Sequence, residues 1–194
     1  MLDNTFGVTC PTNCSAVTWD AVQTLDIKCL PDPDQAAINY LILGIPGVTT
    51  PPADWTLDAD WTAVIDNNDA TGAFFKRFPC VGEVAESEAV TFVAPGLQEG
   101  ILKRNFTATF TLAYLPQDVY DFFRKTFQCG NVKPIFYYED VSKFMYGSSD
   151  TGIIAERIDV QFPKGSAEDS FNQVVITLGW ESKVDPERIV DPLQ

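Results

Sequence analysis

The side chains best suited to chemistry in this sequence are acidic residues that lie close together in the chain. Asp66 and Asp69 form one such group, and Glu83, Glu86 and Glu88 form another. Two carboxylates that converge in one cleft can act as acid and base, as they do in glycoside hydrolysis. With 27 acidic residues in a chain of 194, however, two carboxylates lie near each other by chance. An acid–base hydrolase is therefore the least favoured function.

The chain contains no histidine, and this absence removes several kinds of active site. Ser–His–Asp and Cys–His arrangements need an imidazole as general base, and the common zinc hydrolases need one as a metal ligand. The phosphate-binding patterns GxxxxGK[ST] and GxGxxG do not occur either. We therefore expect a protein that is not an enzyme and that uses no cofactor.

Three cysteines near the N-terminus, Cys10, Cys14 and Cys29, are candidates for a metal site. Their spacing is unusual for zinc ligands, and no histidine can complete a mixed site. The five cysteines are an odd number without a CxxC pair, which argues against a disulfide framework. We expect free cysteines and no metal. A calcium loop at 66–72, DNNDATG, is disfavoured because its glycine comes late for an EF-hand.

Two tryptophans, Trp55 and Trp61, lie in the proline- and aspartate-rich segment 46–61. Exposed tryptophan rings can stack on sugars, so a carbohydrate-binding β-sandwich is an alternative function. The favoured interpretation is that this long loop packs on the domain itself or on a neighbouring subunit, as long loops often have interface roles.

The charge of the chain is strongly acidic, with 27 acidic and 13 basic side chains and a formal net charge of −14. Tight nucleic-acid binding needs lysine and arginine to replace counterions, so a nucleic-acid clamp is disfavoured. A negative charge suits a surface past which nucleic acid slides without binding. An acidic surface that only keeps the protein in solution would have the same charge. Without a recognisable signal peptide or an apolar run of about 18 residues, we expect a cytosolic product that does not span a membrane.

The element that must position any functional surface is the segment 101–115, ILKRNFTATFTLAYL. Apolar and polar residues alternate along it, which predicts a strand with one apolar and one polar face. At about 3.3 Å per residue the strand would reach roughly 50 Å, far beyond the usual five or six residues. Such a strand must protrude from a core or line an extended wall. Its polar face consists of Lys103, Asn105, Thr107, Thr109 and Thr111.

A helix is predicted directly after this strand, at PQDVYDFFRKTF. Pro116 cannot continue a hydrogen-bonded ladder, and its fixed φ suits the first turn of a helix. Asp118 and Asp121 near the start, with Arg124 and Lys125 near the end, complement the helix dipole. The apolar packing face of this helix consists of Val119, Phe122, Phe123 and Phe127.

The other segments predict strands that complete one domain. The whole chain is divided into an irregular N-terminal arm at 1–16, a single β-rich domain at 17–182 and an extended C-terminal tail at 183–194. Long loops are predicted at 46–60 and 141–152. The predicted strands are 17–29, 37–45, 61–69, 72–84, 87–96, 132–140, 152–162 and 171–180.

The strand ILKRNFTATFTLAYL, the helix behind it and the closing strands GIIAERIDVQF and FNQVVITLGW together resemble the phage tail-tube protein family. This family includes the tubes of contractile injection machines and the ring or adaptor proteins below the portal. The N-terminal CPTNC arm is similar to that of virion proteins from phages of Bacteroidetes hosts, including crAss-like phages.

The resemblance implies a mainly β fold: a β-sandwich or flattened barrel with long protruding strands and one flanking helix. It implies that six copies, or alternatively twelve, form a ring or tube in the virion tail after assembly in the host cytoplasm. The genome would pass through the channel without sequence-specific binding, and adjacent tail or portal-adaptor proteins would be partners. The polar face of the long strand would lie at the ring interface or lumen. The residues expected to contact the next ring are Trp55, Trp61, Phe144 and Tyr146.

Overall fold

The structure is a computed structural model that describes residues 37–67, 69, 71–93, 100–113, 116–129, 132–149, 151–163 and 173–193. All of them belong to one unit of the chain, Gln35–Gln194. The predicted N-terminal segment at 1–16, the predicted strand at 17–29 and the three N-terminal cysteines lie outside the described residues. The predictions for these segments therefore stay predictions.

The described part of the chain is mainly β, as predicted, and its ten strands form one antiparallel sheet. Their order is β10-β6-β5-β1-β2-β4-β9-β8, with β3 also paired to β4 and β7 to β5. The strands are β1 (Ile38–Gly44), β2 (Lys76–Val84), β3 (Glu88–Phe92), β4 (Gly100–Leu112), β5 (Ile135–Asp140), β6 (Phe144–Gly147), β7 (Ile153–Ile154), β8 (Arg157–Gln161), β9 (Val174–Ser182) and β10 (Glu187–Val190). The helices are α1 (Asp58–Val64) and α2 (Gln117–Phe122), which continues as a π-helix, Phe123–Cys129.

The sheet bends back on itself, although its described strands do not close into a barrel. Neighbouring strands lie about 4.8 Å apart, so β5 and β9, four positions apart in the order, would be separated by roughly 19 Å in a flat sheet. The ring centroids of Phe136 on β5 and Trp180 on β9 are only 5.4 Å apart. Phe110 on β4 also contacts Phe136, at 6.3 Å between centroids. The two halves of the sheet therefore face each other across a shared core.

The predicted long strand is present as the unbroken β4, which has 13 residues. Its residues Phe106, Ala108, Phe110 and Leu112 are buried in the shared core, whereas the residues between them are half-buried. The predicted division into an apolar and a polar face is therefore confirmed for residues 106–112, whereas Leu102, predicted on the apolar face, is exposed. β4 pairs with β9 along nine residues, from Arg104 to Leu112.

The predicted helix is also present, but only its first half is α-helical. From Phe123 onward the backbone is a π-helix. Phe123 and Phe127 are buried in the shared core, and Val119 and Phe122 pack against it. The ring of Phe78 on β2 lies 5.1 Å from that of Phe123, between centroids. The predicted packing face therefore holds the helix against the sheet.

The prediction of a strand at 61–69 is wrong at its start, where the chain forms α1. Trp61, Val64 and Ile65 have the i, i+3, i+4 spacing of one helix face. All three pack in the same apolar cluster. Asp58 and Asp60 lie in the first turn, where the helix dipole favours acidic side chains.

Three other segments differ from the predicted elements. The loop predicted at 141–152 contains β6, which lies between β5 and β10. The segment predicted as an extended tail contains β10. The strand predicted at 152–162 is divided into β7 and β8, because β7 pairs with β5 whereas β8 pairs with β9. Only two residues, 155 and 156, separate them, so this link crosses from one half of the sheet to the other.

Candidate functional site

The polar residues of β4 belong to a wider surface, the polar sheet face, which spans β2, β3, β4, β9 and β8. Residues directly opposite each other on neighbouring strands share a face of the sheet. Thr109 on β4 lies opposite Glu83 on β2 and Thr177 on β9. Thr177 in turn lies opposite Asp159 on β8. The register thus builds a row in which two threonines separate two exposed carboxylates.

A second row of the polar sheet face crosses β4 at Asn105. This residue lies opposite Glu88 on β3 and Glu181 on β9. Lys103 Nζ donates to Glu181 Oε2 at 2.5 Å. Within the described residues, the buried Asn105 Oδ1 accepts no hydrogen bond. Each carboxylate of this row is therefore close to an amide or an ammonium group.

Between these rows, Thr107 lies opposite Gly179 on β9, and Gly179 lies opposite Arg157 on β8. A Cβ atom at Gly179 would be only 3.1 Å from Arg157 Nε. The absence of a side chain here allows the arginine to lie across β9. Together the rows hold four acidic side chains and two basic ones, which makes the polar sheet face hydrated and weakly acidic. Such a surface lacks the lysine and arginine excess that holds phosphate.

The structure places all five predicted residues of β4 on this one face. It also adds residues that the sequence did not single out as part of the site, because only the register brings them beside β4. No local pattern near Asp159 or Glu181 indicates which residue each will face. The added charged residues are Glu83, Glu88, Arg157, Asp159 and Glu181.

Beyond the polar sheet face, β3 and residues 100–103 of β4 form a two-stranded extension, the arm. The pairing of β4 with β9 ends at Arg104, and the pairing of β2 with β1 ends at Gly82. Past these points, the described strands β3 and β4 pair only with each other. Both long edges of the arm therefore present backbone donors and acceptors without a strand partner among the described residues.

The arm carries large apolar side chains that are exposed. Phe92 ends β3 and Val93 follows it directly, and Ile101 and Leu102 lie at the start of β4. Successive residues of a regular strand point to opposite faces, and the successive residues Thr91 and Phe92 of β3 are both exposed, so both faces of the arm are open within the described part of the chain. An isolated two-stranded hairpin is only marginally stable in water. Exposed apolar patches and open edges are typical of surfaces that bind another chain.

Trp55 and Trp61 pack on the domain itself, which is one of the two arrangements that the sequence favoured for this loop, and they do not take the predicted place at a contact with the next ring. Both are buried in an apolar cluster with Tyr137, and Trp61 Nε1 donates to the Trp55 carbonyl oxygen at 2.8 Å. The ring centroids of Trp61 and Tyr137 are 4.8 Å apart. Their side chains are therefore part of the core. They present no surface to a neighbouring ring and no stacking platform to a sugar.

Phe144 and Tyr146, the other residues predicted to contact a neighbouring ring, lie on β6 and are half-buried. The Arg188 guanidinium lies 4.3 Å from the centroid of the Phe144 ring. Tyr146 Oη donates to Asp140 Oδ2 at 2.9 Å. Both side chains are thus engaged within the chain.

Among the described residues, no group of three or more histidine, cysteine, aspartate or glutamate side chains could hold a metal ion. No helix in the described part of the chain is long and apolar enough to cross a membrane.

Comparisons with known proteins give one weak structural similarity. No protein-family model and no curated protein matches the sequence. Among solved structures, the chain is similar to a chain of the "Virion of native gene transfer agent (GTA) particle". The match has a TM-score of 0.33 and 14% identity, and it covers 56% of this chain and 82% of that chain. A similarity at this level defines neither a family nor a function.

Proposed function

We propose that the protein is a non-catalytic structural component of a phage virion that self-assembles through its arm. The observation that carries the proposal is the geometry of the arm, whose two edges have no strand partner among the described residues and whose apolar side chains are exposed. A second copy that pairs with these edges would bury Leu102 and its neighbours. It would also complete the hydrogen bonding of the backbone. Both changes stabilise the assembled form relative to the separate chains.

In the proposed assembly, the contacts are head-to-tail, and they close into a ring of six copies, with twelve as the alternative. The polar sheet face lines the channel of this ring or of a tube built from stacked rings. Its threonines keep the wall hydrated, and its excess of carboxylates keeps DNA from adhering as the genome passes. The partners are other copies of the chain and adjacent tail or portal-adaptor proteins. The location is the virion tail, after assembly in the host cytoplasm.

The proposal is tested by the replacement of Leu102 with serine. Leu102 is 57% exposed on the arm, and Leu57, 50% exposed at the start of α1, provides a matched control. The native protein is expected to form rings or tubes in negative-stain microscopy. It should also sediment as an oligomer whose fraction rises with concentration. Leu102→Ser should reduce this fraction, because the interface loses apolar area, whereas Leu57→Ser should not.

Two outcomes of this experiment would contradict the proposal. One is a native protein that stays monomeric at every concentration tested. The other is an equal loss of assembly in the two variants, because that result would separate assembly from the arm. Serine is favoured at helix N-caps such as position 57, so the control variant is expected to fold.

A further inference from the structure

A cleft with a volume of about 420 Å³ opens at the end of β9. This volume lies within the range of roughly 300–1,000 Å³ that is typical of ligand sites. The lining of the cleft comes from described residues in the ranges 147–156 and 180–187. No residue of the arm is among them, so the cleft is a separate surface.

The lining of the cleft is held in place by contacts within the chain. Trp180 is a buried lining residue, and its ring stacks on that of Phe106 at 5.1 Å between centroids. The Ser148 carbonyl oxygen accepts hydrogen bonds from the Gly152 N–H at 3.2 Å and from Tyr137 Oη at 3.4 Å. Because the cleft is formed in advance, a ligand binds to it with little cost for ordering the protein.

Each of the two lining ranges presents an apolar side chain to solvent. Ile154 is 49% exposed and Val184 is 55% exposed. The Val184 N–H donates to Ser182 Oγ at 3.2 Å, which restrains this part of the lining. Covering apolar side chains of this kind with another apolar group removes them from water and favours binding. The cleft therefore fits a ligand that has apolar groups.

The charge of the cleft is entirely acidic within the described part of the chain. Glu156, Asp185 and Glu187 line it and are exposed, and none of the described lining residues is a lysine or an arginine. A fourth acidic lining residue, Glu181, is already paired with Lys103. The other three form no ion pair with a described residue. A ligand with positive charge is therefore complementary to the cleft.

We propose that this acidic cleft docks a segment of a partner protein that combines lysine or arginine side chains with apolar ones. The basic side chains pair with Asp185 and Glu187, and the apolar side chains cover Ile154 and Val184. A small polyamine would neutralise the carboxylates but would leave both apolar side chains in water, so a protein segment fits the cleft better. The docking goes beyond the proposed function and does not depend on it.

The docking is tested by isothermal titration calorimetry of the full chain in about 0.15 M salt. The probe is a hexapeptide with blocked ends in which lysine and valine alternate. One peptide is expected to bind per chain, with a dissociation constant below about 1 mM. A matched hexapeptide in which lysine and serine alternate should bind more weakly, because it covers no apolar surface. Spermidine, a small polyamine, should also bind more weakly.

Two double variants separate docking in the cleft from the general attraction of a basic peptide to an acidic protein. Asp185→Asn combined with Glu187→Gln should weaken binding of the lysine–valine peptide by about three- to tenfold, since each exposed ion pair contributes modestly. Asp58→Asn combined with Asp118→Asn removes the same charge from exposed residues of the two helices. This control should change the affinity little.

A second pair of variants tests the apolar part of the cleft. Val184→Ser should weaken binding of the lysine–valine peptide, whereas Val48→Ser, at a residue that is 49% exposed outside the cleft, should not. The proposal is overturned if the native chain does not bind this peptide saturably, or if the two double variants weaken binding equally. It is also overturned if spermidine or the lysine–serine peptide binds as tightly as the lysine–valine peptide, because the cleft would then select charge alone.

Discussion

Two glycines show how closely individual residues are fitted around the buried Tyr137. A Cβ atom at Gly147 would lie within van der Waals overlap of the Tyr137 ring, and one at Gly152 would lie 2.6 Å from Ile135 Cγ2. Gly152 also has a φ of +69°, which favours glycine. The residues that surround this aromatic ring are therefore restricted both in size and in backbone conformation.

At the residue scale, we predict that Gly152→Ala destabilises the protein more than Gly47→Ala does. Both positions have a positive φ, +69° and +76°, so the conformational cost of alanine is similar. Gly47 has no atom within 4 Å of the added Cβ, whereas Gly152 does. The difference in unfolding free energy between the two variants therefore gives the cost of overpacking at Gly152, which is typically about 1–3 kcal/mol. Denaturant unfolding of the two variants measures it, and equal midpoints would show that the site relaxes freely.

At the scale of the element, β4 combines the two properties on which the proposed function depends. One face contributes aromatic and aliphatic side chains to the shared core, and the other contributes the threonines of the polar sheet face. Toward its start, the same strand leaves the core and becomes part of the arm. A single element thus connects the stability of the subunit with the surface proposed for assembly.

We predict that opposite faces of β4 respond very differently to truncation. Phe110 is fully buried and contacts the rings of Phe136 and Tyr138, so Phe110→Ala should cost about 3–5 kcal/mol of unfolding free energy. Thr109, its neighbour on the polar sheet face, is half-buried, and Thr109→Ala should cost less than about 1 kcal/mol. Urea titrations followed by tryptophan fluorescence compare the two. A similar loss for both would mean that the polar sheet face is also packed against protein.

The predictability of the elements follows from where their stabilising interactions lie. The alternation of β4 and the apolar stripe of α2 are local patterns, so both were predicted correctly. β6 and β10 are short edge strands that depend on partners distant in the chain, and the sequence around them indicated a loop and a tail. The helix α1 was missed because it has only seven residues, and a short segment with a few apolar residues fits a helix or a strand equally well.

At the scale of the whole molecule, assembly links stability to protein concentration. If copies pair through the arm, the oligomer binds only folded subunits, and the melting temperature should rise with concentration by mass action. For Leu102→Ser this rise should be smaller, and for Leu57→Ser it should equal that of the native protein. Differential scanning calorimetry over a hundredfold concentration range measures the effect. A native melting temperature that does not change with concentration would contradict assembly of the folded subunit.

The sequence by itself determined the mainly β character of the chain, the two faces of β4, the helix after it and the absence of histidine-dependent chemistry. These properties depend on composition and on local periodicity. Only the tertiary structure decided that Trp55 and Trp61 are core residues, that Glu83 and Asp159 flank the threonines, and that Arg77 pairs with the buried Glu139. Such contacts are set by strand order, register and the bending of the sheet, and these depend on the whole chain rather than on any one segment.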